Sequence, residues 1–300
     1  LIRALAAVRD LSPVVYVDSG STDGSIAAAE AAGAIVVRLD TSQGFTAARA
    51  RNAGFAALGP NPPEFVQFID GDCELQPEWA GKAADFLRSH PRVAAVCGRR
   101  RERFPDASVY NRLCDLEWDT PVGETTACGG DAMYRAEAFA AVDGFDPSLI
   151  AGEEPELCQR LRRAGWKIWR LDAEMTLHDA AMTRFAQFWQ RARRGGHAAA
   201  EGAQMHGHGP DRLGVGQTRR ALIWGFAIPA AILLWALTLS PWFLLLLLIY
   251  PAQVARLAAR GQGWEWALFT TLGKFPEALG VLQYHWGRLT QRRQGLIEYK

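Results

Sequence analysis

Up to about residue 218, apolar positions fall into two alternating kinds of run. Residues 14–17, 34–39, 65–69 and 93–97 are short and rich in β-branched and aromatic side chains, as in strands covered on both faces. Between them, residues 2–11, 25–32, 45–57 and 77–88 carry apolar positions at helical spacing. Turn chemistry separates the two kinds. Ser12-Pro13 ends the first helix, residues 18–24 read Asp-Ser-Gly-Ser-Thr-Asp-Gly, and Gly33 stands where a C-terminal glycine closes a helix. Such alternation predicts an α/β fold with a doubly wound, mostly parallel, Rossmann-like sheet.

The pattern changes after residue 218. Residues 221–239 carry no charge, Ser240-Pro241 interrupts, and residues 242–254 resume the apolar run. Arg219 and Arg220 precede the pair; Arg256 and Arg260 follow it. Each run is close to the roughly 17–25 residues a crossing needs, and basic residues at both outer ends predict a transmembrane helical hairpin whose ends face the cytoplasm. Residues 261–300 mix tryptophans with Lys274, Glu277 and His285, a pattern suited to a helix lying among membrane lipids, which Pro276 is expected to break. Arg288, Arg292, Arg293 and Lys300 are expected to face anionic headgroups. The predicted organisation is an α/β domain over 1–200, a Gly/His-rich linker or lid over 201–218, the hairpin over 219–260 and an interfacial segment over 261–300.

Charge and cysteine content narrow the classes. With 33 Lys+Arg against 32 Asp+Glu, the chain lacks the basic excess of a nucleic-acid binder. Its five cysteines are scattered without a C-x-x-C pair, which speaks for free thiols rather than a disulfide framework or structural zinc.

Candidate chemistry gathers at the ends of predicted elements. Residues 65–75 read FVQFIDGDCEL, an apolar strand running into Asp70, Gly71 and Asp72 with Glu74 behind. Ligands of open α/β sheets bind outside the carboxyl ends of strands, and paired carboxylates there suit a hard divalent cation that reaches for phosphate oxygens. A second acidic centre, Glu153-Glu154, precedes Pro155, which is expected to sit at the first helical position and hold Glu154 extended near the N-cap. A carboxylate held ionised by the helix dipole there is fit to act as a general base.

Five motifs occur in order: V-D-S-G-S-T-D-G-S from Val17, R-N-A-G-F from Arg51, I-D-G-D from Ile69, D-G-F-D from Asp143, and G-E-E-P-E-L-C-Q-R-L-R-R-A-G-W from Gly152. Together, over roughly residues 1–200, they resemble family 2 glycosyltransferases of the GT-A fold. The resemblance implies inverting transfer of a sugar from a nucleotide-sugar donor, a UDP-sugar first, to a lipid-linked or saccharide acceptor in surface polysaccharide or glycolipid synthesis. It implies Mn2+ or Mg2+ as cofactor, held by Asp72, with Asp70 sharing the metal or holding the ribose and His178 as a later ligand. It places Asp18 near the nucleobase, Arg51 near the donor phosphates, and Gly130 and Asp131 along the donor sugar. Arg51 also suits a salt bridge on its helix, and Asp131 a helix cap. The second acid of the family's Glu-Asp pair is the base, so Glu154 carries over; its longer side chain leaves Glu153 in contention. Residues 190–194 lack the tryptophan of the Q-x-x-R-W motif of processive relatives, which implies one sugar added at a time. The implied location is the inner, cytoplasmic membrane, with the catalytic domain facing the cytoplasm.

Family members open with a strand that precedes the first helix seen here, so a segment of roughly 10–20 residues is expected upstream. Two other readings stand beside this one: an inactive sugar-nucleotide-binding membrane partner, and a nucleotidyltransferase.

Overall fold

The structure, a computed structural model, describes residues 1–40, 42, 44–209 and 211–291. The chain divides into two compact units, Leu1–Ala181 and Met182–Lys300. The division precedes the boundary expected at residue 200.

The first unit alternates helices and strands: α1 (Ile2–Ala7), β1 (Val15–Asp18), α2 (Ser25–Ala31), β2 (Ile35–Arg38), α3 (Ala47–Ala56), β3 (Phe65–Phe68), β4 (Cys73–Leu75), α4 (Trp79–Ser89) and β5 (Val93–Glu102). Then come α5 (Val109–Glu117), β6 (Gly123–Thr125), β7 (Ala132–Arg135), α6 (Ala136–Ala141), α7 (Glu153–Arg163) and β8 (Lys167–His178). As expected, Gly33 follows α2 with φ of 78°. Strand β5 runs past its predicted end, carrying Arg99, Arg100 and Arg101.

The expectation of a mostly parallel sheet is corrected. Only β1 with β2 and β5 with β8 pair in parallel; β3–β7, β5–β7, β4–β8 and β6–β8 are antiparallel. The sheet is mixed because β7 enters between β3 and β5 and turns both neighbouring pairings antiparallel. Strands β1 and β2 form a two-stranded sheet of their own. The larger sheet has the order β3-β7-β5-β8-β4, with β6 on β8. Its core packs Phe68, Tyr134, Phe139 and Phe145 with centroids 5.2–6.2 Å apart, edge to face except for the tilted Phe68–Phe139 pair. Gly98 lets β5 pass close to its neighbours: a Cβ there would lie 2.6 Å from Ala173 O and from Trp79.

The second unit is helical. Helix α8 (Phe185–His206) runs through Gly195, Gly196 and Gly202, so the segment read as linker is helical up to His206. The glycines serve packing. A Cβ on Gly196 would lie 2.0 Å from Glu277 O, and one on Gly280 2.0 Å from Arg193 O, so α8 and the helix Lys274–Leu289 meet backbone to backbone. His197 is buried at that contact with its ring 5.2 Å from Tyr284. Burial first, then Arg193, pushes its pKa down to about 4. The element is in two pieces, as expected: one helix ends at Leu272, four residues before Pro276, and Pro276 sits in the first turn of the next, where a missing N–H leaves no bond unmade. Two helices, Val215–Thr238 and Pro241–Gly261, are long and apolar enough to cross a membrane. Their side chains face outward, with Leu237 79% and Trp242 77% exposed. Arg292, Arg293 and Lys300 lie outside the described residues.

Candidate active site

The sheet register builds the site. Antiparallel pairing of β4 with β8 sets Cys73 opposite His178. Asp72, one residue before Cys73, therefore lies beside the ring, with its Oδ1 3.4 Å from His178 Nε2. Ligand atoms of Asp72, Cys73 and His178 all lie within 4.8 Å of one another. The ring of His178 is buried and meets Trp118 edge-on, with centroids 4.8 Å apart. An exposed carboxylate beside an oriented imidazole fits a divalent cation that keeps room for phosphate oxygens.

The antiparallel β3–β7 pair does the same for the other aspartate. Phe68 pairs with Ala132, so the residues after β3 lie beside those before β7. The Asp70 amide donates to Asp131 Oδ1 at 3.1 Å. A Cβ on Gly130 would lie 3.0 Å from Arg51 Nη2 and 3.2 Å from Asp70 Oδ2, so a side chain there would crowd both groups.

Arg51 joins the two acidic centres. It projects from α3, donates through Nη2 to Asp70 Oδ1 at 2.7 Å and through Nη1 to Glu153 Oε1 at 2.8 Å. Its guanidinium lies over the Phe145 ring, 5.5 Å from the centroid. The salt bridge foreseen along one helix face instead spans residues 51, 70 and 153. The next residue, Asn52, holds the Asp143–Asp146 turn: Nδ2 donates to Phe145 O at 2.7 Å, and Oδ1 accepts from Phe145 N at 3.0 Å.

The neighbouring glutamates have different surroundings. Helix α7 starts at Glu153 after Gly152, whose φ is 79°. Pro155 therefore lies inside the first turn rather than opening the helix, and Glu154 is helical rather than extended. Proline fits there because the first N–H groups of a helix have no intrahelical partner. Glu153 points to Arg51. Glu154 is buried beneath the turn before β7, accepting at Oε1 from Cys128 N and from Cys158 Sγ at 3.0 Å. Burial raises the pKa of Glu154, and bonds from Cys158, Cys128 and Gly129 only partly offset this. Asp70 shifts the other way. Burial acts to raise its pKa, but Arg51 and then Arg100 outweigh it and hold the carboxyl below its ordinary value.

Other expected residues take different positions. Asp131 is fully buried; its Oδ2 accepts from Thr176 Oγ1 at 2.9 Å and pairs with Arg100 at 2.9 Å. It neither caps a helix nor turns outward toward a sugar, because it anchors the turn that places Asp70. Asp18 is buried at the end of β1 and accepts from Tyr16 Oη, Gly20 N and Ser21 N, which lowers its pKa chiefly through Ser21. Glu74 points to Arg103 at 2.6 Å instead of joining Asp72. Arg100 was not foreseen. It neutralises Asp131 and lies over the Trp118 ring at 5.4 Å. Its signal in the sequence was the arginine run at the exit of an apolar strand.

Residues 1–142 match Glycosyl transferase family 2. Succinoglycan biosynthesis protein ExoA of Rhizobium meliloti (strain 1021) is 28% identical over 188 residues, covering 59% of this chain and 57% of its own length. O-antigen chain rhamnosyltransferase RfbN of Salmonella typhimurium (strain LT2) is 24% identical over 169 residues, 52% of this chain and 53% of its own. The chain thus spans little more than half the length of either relative. Among solved structures, mannosyltransferase PcManGT from Pyrobaculum calidifontis, in complex with GDP-Man and Mn2+, superposes with a TM-score of 0.63 at 21% identity, covering 91% of this chain and 79% of that one. S. aureus TarS 1-349 superposes at 0.50 and 15% identity, covering 95% and 87%. The match over residues 1–142 and the shared fold make this chain similar to glycosyltransferase family 2.

Proposed function

We propose that this chain is an inverting, divalent-metal-dependent glycosyltransferase of surface polysaccharide or glycolipid assembly, acting on a lipid-linked or saccharide acceptor. The observation that carries the reading is the approach of His178 Nε2 to within 3.4 Å of Asp72 Oδ1, with the Arg51–Asp70 pair close by in the same fold. Asp72 and His178 would hold Mn2+ or Mg2+, which offsets charge on a departing nucleoside diphosphate. Arg51 and Arg100 keep Asp70 ionised as a fixed acceptor for ribose hydroxyls or metal-bound water. Asp18 and its loop lie at the nucleobase end, as in the family, and Gly130 leaves room for the donor sugar. Glu154 takes the proton of the acceptor hydroxyl; a raised pKa makes it a stronger base than a solvent-exposed glutamate. Glu153 is a positioning residue that holds Arg51.

UDP-sugars are the first donors to assay and GDP-mannose the second, since TarS is solved with UDP-GlcNAc and PcManGT with GDP-Man. The helices Val215–Thr238 and Pro241–Gly261 form a hairpin in the cytoplasmic membrane, and their flanking arginines keep both outer ends, and the catalytic unit, on the cytoplasmic side. The exposed apolar face of the helix Lys274–Leu289, with Leu279, Trp286 and Leu289, lies in the interface.

The test is transfer from a panel of sugar nucleotides with Mn2+ or Mg2+, comparing the native chain with Asp72→Asn. Loss of transfer by roughly a hundredfold or more, with thermal unfolding unchanged, is expected. No transfer from either form would favour an inactive relative, and equal measurable rates would remove Asp72 from the metal site. Carbonate washing of membranes tests the anchor: release of the chain into the wash would overturn it.

A further inference from the structure

The proposed chemistry makes no use of the sulfur around Glu154. Of the five cysteines, all free, the fold brings two beside that carboxylate. Cys128 precedes β7, and Cys158 lies in α7. The Cys128 and Cys158 sulfurs and a Glu154 carboxylate oxygen all lie within 4.8 Å of one another. A second observation points to the same place. The Tyr134 hydroxyl is buried with no hydrogen-bond partner among the described residues, and charge on Cys158, Cys128 and Glu154 would act on it. An orphaned buried hydroxyl is uncommon and marks room for a further polar group.

Buried thiols alone read as small apolar packing. Two thiols beside a carboxylate form a donor set of another kind: two sulfurs and one oxygen. Thiolates select zinc-class cations over Mg2+, which prefers oxygen ligands. Tetrahedral zinc with Zn–S bonds of ~2.3 Å needs ligand atoms about 3.8 Å apart, within the observed spread. Cys128 is only partly buried and leaves a route inward.

We propose that Cys128, Cys158 and Glu154 form a thiophilic metal site, separate from the hard-cation site at Asp72 and His178, and that a zinc-class ion bound there blocks sugar transfer. Binding replaces thiol protons with metal–sulfur bonds and releases those protons to solvent. The blocking half rests on Glu154 being the base, because the ion takes up its carboxylate. The binding half does not.

Co2+ is titrated into the reduced, full-length protein with Mg2+ in excess. A saturable sulfur-to-cobalt charge-transfer band is expected, with visible bands of tetrahedral intensity, and Zn2+ displaces it. Asp72→Asn keeps the band, and Cys128→Ser with Cys158→Ala loses it. No band in the native chain, or a band that survives the double substitution, overturns the site. Should the double variant misfold, proton release decides on the native chain: more than one proton freed per zinc supports thiol ligation, and none refutes it. In the same preparation, Zn2+ should abolish Mg2+-supported transfer. A cobalt band with undiminished transfer overturns the blocking half and removes Glu154 as base, leaving the metal site in place.

Discussion

The acidic turns at residues 70–72 and 153–154 contain the same functional group and prepare it in opposite ways. At the first, two arginines overcome burial and hold Asp70 charged. At the second, Arg51 takes Glu153, while Glu154 is withdrawn among amides and thiols and its pKa rises. The first turn is suited to fixed negative charge, as metal and phosphate chemistry requires. The second is suited to gaining and losing a proton. Placement relative to arginine, rather than residue type, divides the labour.

Removing the arginine breaks this contrast most severely. Arg51→Ala strands Asp70 and Glu153 together; transfer should fall below detection, and urea denaturation should show a loss of about 2–4 kcal/mol, the lower end reflecting solvent screening of Asp70. Next in size is Glu154→Gln, which keeps an acceptor for the Cys128 amide but no basic oxygen. The chemical step should slow by roughly 10²–10³-fold in single-turnover assays with little change in donor affinity; an unaltered rate would transfer the role to Glu153.

The pH dependence sharpens the comparison further. Glu154 has a folded pKa above its unfolded value, so its contribution to stability is full below the unfolded pKa and is lost as pH rises through the folded one. Asp70, with a depressed folded pKa, contributes above the unfolded value and loses that contribution as pH falls through the folded one. Glu154→Gln should therefore gain stability relative to the native chain as pH rises past the ordinary glutamate pKa, whereas Asp70→Asn should show its stability deficit above the ordinary aspartate pKa and lose it as pH falls. Parallel denaturation series would reveal any failure of this opposition. Smallest is Gly130→Ala, whose added methyl would sit 3.0 Å from Arg51. It should lower transfer about tenfold and stability by about 1 kcal/mol, measured by steady-state kinetics and thermal unfolding.

Much of this was legible in the sequence. The strand–helix alternation of residues 2–97 was plain because its apolar runs are short and well punctuated, and Asp72 with His178 followed from motif and strand end. Strand direction was not legible. Nothing in the Ala-Met-Tyr-Arg run of β7 says that it enters between β3 and β5 antiparallel to both. That single insertion brings Asp131 beneath Asp70 and thereby changes its expected role. Arg51 was misplaced for a related reason: helical spacing reports partners three or four residues away, and Glu153 lies far along the chain. Composition suggested a linker over 201–218 because a glycine that permits close packing, as Gly202 does beside Leu213, looks, in sequence, like one that permits bending.

The long reach of the Arg51 bridge also bears on biosynthesis. A ribosome releases Arg51 and Asp70 well before Glu153 exists, so a nascent chain holds a guanidinium with half its eventual counter-charge. Electrostatic closure of the pocket must wait for translation to pass the start of α7. Truncated products ending before that point would keep the early strands and lack the lock.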